Sequence, residues 1–118
     1  MQQPASNGLL PAMEFDDFQT TDAYDVLMEN PHLLADCLRY LEAEDEESIS
    51  FCPDPHCYYA PYDEEVFDEC YDYLRYVGEL QRKVSIPGHV FEFYRTDLGK
   101  YIAYRSGSGK VCGFLQRC

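Results

Sequence analysis

The chain has 118 residues, of which nine are Lys or Arg and 22 are Asp or Glu, and its formal charge is −13 at neutral pH. A domain of this length with 46% hydrophobic residues can build a buried core, which excludes a chain disordered throughout. The negative charge argues against direct binding to nucleic acid or to an anionic membrane, because both are negative themselves. No apolar run reaches the roughly 20 residues of a membrane-spanning helix, so we expect a soluble, cytoplasmic protein.

The charge is divided unevenly along the chain. Residues 1–79 contain 20 acids and two bases, a net charge of −18, whereas residues 80–118 contain seven bases and two acids, a net charge of +5. Acid-rich surfaces aid solubility, but solubility alone does not require this separation.

Residues 1–13 contain Pro4, Gly8 and Pro11 and show no hydrophobic periodicity, which predicts a flexible N-terminal tail. We expect residues 14–118 to form one compact α+β domain.

Two nearly contiguous helices are predicted next. Thr21 or Asp22 can cap a short helix that ends at Met28 or Glu29. Asn30 and Pro31 then supply a cap and a first-turn proline for a second helix. At 100° per residue this second helix is amphipathic, and its apolar side contains Leu33, Leu34, Cys37, Leu38, Tyr40 and Leu41.

An acidic segment, Glu42–Glu47, follows with five acids in six residues. The stretch Cys52–Cys57 contains Pro53 and Pro55, which remove backbone donors, and we therefore expect a loop there.

The stretch from Asp63 to Gln81 is predicted to be an amphipathic helix. Its apolar arc consists of Val66, Phe67, Cys70, Tyr73, Leu74, Val77 and Leu80. The opposite arc carries Glu64, Glu65, Asp68, Glu69, Asp72 and Glu79, with Arg75 as its single base.

Three short runs rich in aromatic and β-branched residues follow Gly88 and predict antiparallel strands over residues 90–95, 100–105 and 110–116. Asp97–Gly99 and Ser106–Gly109 have the residues that hairpin turns need. The predicted fold is α+β, with two or three N-terminal helices packed on a C-terminal three-stranded antiparallel β-meander.

The acids of the third helix are the main candidate for a binding site. Seven acids over Asp63–Glu79 would place one charge per roughly 4 Å along a helix, close to the about 3.4 Å phosphate spacing of a nucleic-acid strand. The alternative is a solvated helix face that keeps a small protein soluble. The predicted partner-binding residues are Glu44, Asp45, Glu46, Glu47, Glu64, Asp68, Asp72, Tyr76 and Glu79.

Six cysteines raise the question of metal binding. Cys52 and Cys57 have ligand-like spacing, but no second pair of the kind found in structural zinc sites is present. We expect free thiols, no metal and no cofactor, with a zinc site built from Cys52, His56 and Cys57, or disulfides, as the alternatives.

The pattern favours a non-enzymatic acidic inhibitor or regulator, because no local signature ties a nucleophile to a base. The expected partner is the basic groove of a DNA- or RNA-binding protein, which the chain would occupy as a nucleic-acid mimic. In size and charge it is similar to the small anti-CRISPR and anti-restriction inhibitors of phages and mobile elements, and a phage-encoded chain would act in the host cytoplasm. The alternatives are a general protein-interaction domain or homodimer that uses the basic region, and the small zinc-binding protein.

Overall fold

The structure, a computed structural model, describes residues 10–118. The helices are α1 Phe15–Phe18, α2 Asp22–Glu29, α3 Pro31–Leu41 and α4 Glu64–Val77, with a short 3₁₀ turn at Glu46–Ser48. The strands are β1 Ile49–Pro53, β2 Glu79–Ile86, β3 His89–Thr96, β4 Gly99–Ser106 and β5 Val111–Arg117.

The five strands form one antiparallel sheet in the order β1-β5-β4-β3-β2. The chain is therefore an α+β protein, but the predicted three-stranded meander is wrong. Its three strands exist as β3, β4 and β5, close to their predicted bounds, and one further strand lies on each side of them.

Strand β1 takes the first two residues of the predicted loop Cys52–Cys57, and the other four form a turn as expected. It pairs with β5, and Phe51 stands opposite Leu115. The strand was missed because Pro53 is the last residue of an edge strand, where a missing N–H removes no bond from the interior of the sheet.

Strand β2 begins where the predicted third helix was expected to continue to Gln81. Helix α4 instead ends at Val77, and Gly78 is extended, with φ −73° and ψ 153°. A Cβ on Gly78 would overlap the carbonyl oxygen of Leu74, so only glycine fits this exit. The polar, exposed residues of β2 suit an edge strand, but they also continue the helical pattern of α4.

The sheet separates two cores. Along β4, Ile102 and Tyr104 face one side of the sheet, whereas Tyr101 and Ala103 face the other, as strand geometry requires. The first core packs α1, α2 and α3 on one face and includes Phe18, Leu27, Leu33, Cys37, Phe51, Phe91 and Phe93. The second core packs α4 on the opposite face and includes Leu10, Cys52, Phe67, Leu74, Val111 and Phe114.

Helices α2 and α3 begin as predicted, whereas α1 was not predicted. The side chain of Thr21 accepts a hydrogen bond from the Tyr24 N–H at 3.3 Å and caps α2. Asn30 precedes the first-turn Pro31 of α3, but its side chain donates to the Val26 carbonyl at 2.7 Å instead of capping α3.

Residues 10–13, the end of the predicted tail, contact the sheet, and the rest of that tail lies outside the described residues. Leu10 is buried, and its carbonyl accepts a hydrogen bond from Gln116 at 2.9 Å. The Met13 N–H donates to the Phe51 carbonyl at 3.0 Å. Across residues 10–118, no helix is both long and apolar enough to span a bilayer.

Candidate functional site

Helix α4 is fixed by its cap and by its buried side. The Asp63 carboxylate accepts from the Val66 N–H at 3.1 Å and satisfies an otherwise unpaired donor of the first turn. Phe67 and Leu74 are buried, and the Phe67 ring lies 5.8 Å from that of Phe114 in β5. The opposite side of the helix therefore faces solvent.

This outward side carries five exposed carboxylates, which we call the acidic face: Glu64, Glu65, Asp68, Glu69 and Asp72. Glu64 is paired with His56, and Asp72 lies 3.8 Å from Arg75. Glu65, Asp68 and Glu69 have no ion-pair partner among residues 10–118. Three adjacent carboxylates in the middle of the face are thus left for solvent or for a partner.

Tyr76 follows the acidic face at the C-terminal end of α4. Its side chain is 78% exposed. The Arg75 guanidinium lies 5.5 Å from the centre of the Tyr76 ring and 5.3 Å from that of Tyr71, close enough for cation–π attraction to both. Tyr76 therefore presents a large aromatic surface beside the carboxylates.

Glu79 was predicted on the same helix face, and the structure places it on a different element. It is the first residue of β2, and its Oε1 accepts from Arg95 at 2.6 Å and from Gln81 at 2.8 Å. Its charge is therefore matched within the chain, which removes it from the acidic face.

The predicted acidic segment Glu44–Glu47 lies in the connection between α3 and β1. Asp45 has a structural role there, because its Oδ1 accepts from both the N–H and the hydroxyl of Ser48 at 3.2 Å and caps the 3₁₀ turn. Since α3 packs on the opposite side of the sheet from α4, this segment does not extend the acidic face.

A second group of exposed acids was missed by sequence reasoning. It lies on and around α1 and α2 and consists of Glu14, Asp16, Asp17, Asp22, Asp25 and Glu29. The signal was present in the charge count of residues 1–79, but these short helices gave no long face on which to place it. Acidic surface therefore exists on both helical layers.

The basic C-terminal part of the chain is largely matched by acids of the same chain. Arg82 lies 3.2 Å from Asp36, and Lys100 lies 3.4 Å from Glu42. The hydrogen bond from Arg39, together with the positive charges of Arg82 and Arg39, lowers the pKa of Asp36 below its usual value. With the pairs Arg95–Glu79 and Arg105–Glu92, four of the seven bases in residues 80–118 have an acidic partner. The separation along the sequence does not persist as a strongly basic surface.

The three residues of the alternative zinc site are not brought together. Cys52 belongs to the second core and contacts the Tyr62 hydroxyl at 3.3 Å, whereas Cys57 packs against the first core. His56 is paired with Glu64. Among the described residues, no group of three or more His, Cys, Asp or Glu side chains could hold a metal ion.

Comparison of the chain with protein-family models, with curated proteins and with solved structures gives no match in any of the three.

Proposed function

We propose that the chain is a non-enzymatic acidic inhibitor or regulator that occupies the basic groove of a nucleic-acid-handling protein through the acidic face of α4. The observation that carries this proposal is the row of unpaired carboxylates, Glu65, Asp68 and Glu69, on a helix whose other side is anchored in the second core. Tyr76 adds aromatic contact area at one end of the face.

Charge density supports a phosphate-like role. With the helix ending at Val77, its acids are confined to Asp63–Asp72, where six carboxylates occur within nine residue steps. These steps span about 14 Å, over which one nucleic-acid strand places about four phosphates. The corrected helix is shorter than the sequence suggested, but its negative charge is denser.

Rigidity favours the same function. A helix packed on a sheet needs no ordering when it binds, so less of the interaction energy is lost to conformational entropy. Electrostatic contacts of this kind raise the association rate and weaken as salt is added.

The test is capture of partners on the immobilised full chain from an extract of its source organism, at low and at high salt. Each captured protein is purified and titrated with labelled duplex DNA or RNA in the presence of the chain. The proposal predicts that the captured proteins bind nucleic acid, that the chain and the nucleic acid exclude each other, and that salt releases the complex.

Two triple variants with equal charge change make this test specific. Glu65→Gln with Asp68→Asn and Glu69→Gln neutralises the centre of the acidic face. Asp16→Asn with Asp25→Asn and Glu29→Gln removes the same charge from the opposite helical layer. Loss of capture by the first variant alone supports the proposed face. Equal capture by both variants, or captured proteins that bind the chain and nucleic acid simultaneously, would rule it out.

A further inference from the structure

Two cysteines far apart in the sequence are in direct contact beside the first core. The Sγ atoms of Cys57 and Cys112 lie 3.2 Å apart, although 55 positions separate the residues in the chain. Cys57 lies in the turn after β1 and is half-buried, and Cys112 is a buried residue of β5.

Backbone hydrogen bonds hold this turn against β5. The Asp54 N–H donates to the carbonyl of Cys112 itself at 2.9 Å, and the Cys57 N–H donates to the Asp54 carbonyl at 2.9 Å. The Asp54 carboxylate also accepts from the His56 N–H at 2.9 Å. These bonds hold the turn beside β5, so the side chains of Cys57 and Cys112 start from adjacent backbone positions.

The remaining cysteines have different surroundings. Cys37 is buried in the first core. Cys52 and the half-buried Cys70 belong to the second core, on the other face of the sheet, and Cys52 contacts Tyr62 at 3.3 Å. Cys118 is exposed and lies 2.9 Å from the Ser50 hydroxyl. Cys57 and Cys112 are thus the two thiols that meet beside the first core.

We propose that Cys57 and Cys112 form an intramolecular disulfide when the chain meets a small oxidising disulfide such as glutathione disulfide. Closing the bond requires the sulfurs to approach from their present contact to the about 2.05 Å of a disulfide. The turn around Cys57 can supply this shift, because it lies outside the strands.

The exchange proceeds in two displacements. Cys57 is the more accessible thiol; its thiolate attacks one sulfur of glutathione disulfide, the S–S bond of the oxidant breaks, and one glutathione leaves. The Cys112 sulfur, on losing its proton, attacks Cys57 and expels the second glutathione. Two protein thiols are oxidised to one disulfide, one glutathione disulfide is reduced to two thiols, and the two protein protons end on the two glutathione molecules.

The turn that carries Cys57 is also connected to the N-terminal end of α4. His56, the neighbour of Cys57, is paired with Glu64 in the first turn of that helix. The turn that contacts Glu64 is already held to β5 by hydrogen bonds, and oxidation would add a covalent link between the two.

The test is equilibration of the folded chain in a glutathione redox buffer of increasing oxidation, followed by alkylation of the free thiols and peptide mapping. Trypsin cleaves after Lys110 and Arg117 and releases Cys112 in a short peptide separate from Cys118. We expect a disulfide to join this peptide to the tryptic peptide that contains Cys57. Fragmentation of the linked peptides in the mass spectrometer then identifies which cysteine of the second peptide is bonded to Cys112. Because the bond closes a loop of 55 residues, we also expect Tm to rise by about 10 °C on oxidation.

Three comparisons make the outcome decisive. All variants are made in a Cys118→Ser background, so that the exposed thiol cannot link two chains. Cys57→Ser should abolish both the cross-link and the rise in Tm, whereas Cys70→Ser should keep them. The same oxidation in guanidinium should give mixed pairings. Glutathione remaining on Cys57 as the final product, Cys112 joined to another cysteine, or identical pairing in folded and unfolded chains would each overturn the proposal.

Discussion

Arg105 of β4 donates from Nε to the Oε1 of Glu92 in β3 across 2.8 Å, and both side chains are largely withdrawn from solvent. The Tyr94 hydroxyl donates to the same carboxylate oxygen at 3.2 Å. A second nitrogen of Arg105 donates to the Gly109 carbonyl at 2.6 Å and so ties the following turn to the pair. This pair is the most buried ion pair of the described chain, and its polar atoms are satisfied from several sides.

Glu92→Ala should therefore be strongly destabilising, because it leaves a partly buried guanidinium without its counter-charge. We expect the free energy of unfolding in urea to fall by about 2 kcal/mol, below the range for fully buried pairs because some solvent reaches Arg105. Asp36→Ala removes the partner of Arg39 and Arg82, whose guanidinium groups are exposed and stay hydrated, and should cost less than about 1 kcal/mol. If Glu92→Ala and Asp36→Ala lowered the free energy of unfolding equally, burial would not determine how much each ion pair contributes.

Alkaline pH should destabilise the fold. Burial raises the pKa of the thiols of Cys37 and Cys52, and that of the Tyr104 hydroxyl, to about 12, above ordinary values of 9.0 and 10.0. The folded state therefore binds these protons more tightly than the unfolded state does. Their contribution is complete below about pH 9 and is lost as pH rises toward 12.

Urea unfolding measured in steps from pH 7 to pH 11 should show this loss. Cys37→Ala removes one buried proton and should reduce the slope above pH 9 by up to about 1.4 kcal/mol per pH unit. Val26→Ala, at a buried side chain with no proton to titrate, is the control and should lower stability equally at every pH. A stability that is flat over this range would contradict the role assigned to burial.

Phe67 should be the side chain that holds α4 on the sheet. It is 2% exposed and packs against Phe114, so Phe67→Ala should lower the free energy of unfolding by about 3 to 4 kcal/mol. Val66→Ala, at a neighbouring position that is 37% exposed, should cost less than about 1 kcal/mol. Amide exchange along α4 is the second measurement, and it should increase only in the Phe67 variant.

The part of the fold that could be predicted from sequence is the part with strong local signals. Thr21 and Pro31 mark helix starts through capping chemistry, and the aromatic alternation of β3 and β4 is typical of strands. The two edge strands could not be predicted from local signals, because β2 is polar and mostly exposed and β1 ends in a proline. Their position follows from pairing with β3 and β5, which is a long-range property.

The same distinction applies to the candidate site. The outward position of Asp68 and Asp72 follows from helical periodicity alone. The loss of Glu79 from that face depends on one glycine, since the exit at Gly78 is required by the close approach of the Leu74 carbonyl. The contact between Cys57 and Cys112 also depends on the pairing of β1 with β5, and it has no local signature.

Repulsion within the acidic face should be measurable as a gain in stability when charge is removed. Asp68 lies four residues from both Glu64 and Asp72, and Glu69 lies four residues from Glu65. Asp68→Asn with Glu69→Gln eliminates these three like-charge pairs, and we expect the free energy of unfolding to rise by about 1 kcal/mol at low salt. At 1 M salt, where the screening length is about 3 Å, the gain should almost vanish. Asp25→Asn, at a first-turn acid that favours the start of α2, should instead lower stability slightly. A double variant that gains no stability at low salt, or whose gain is independent of salt, would show that the carboxylates of the acidic face do not repel one another appreciably. A basic partner would then relieve no electrostatic repulsion by binding them.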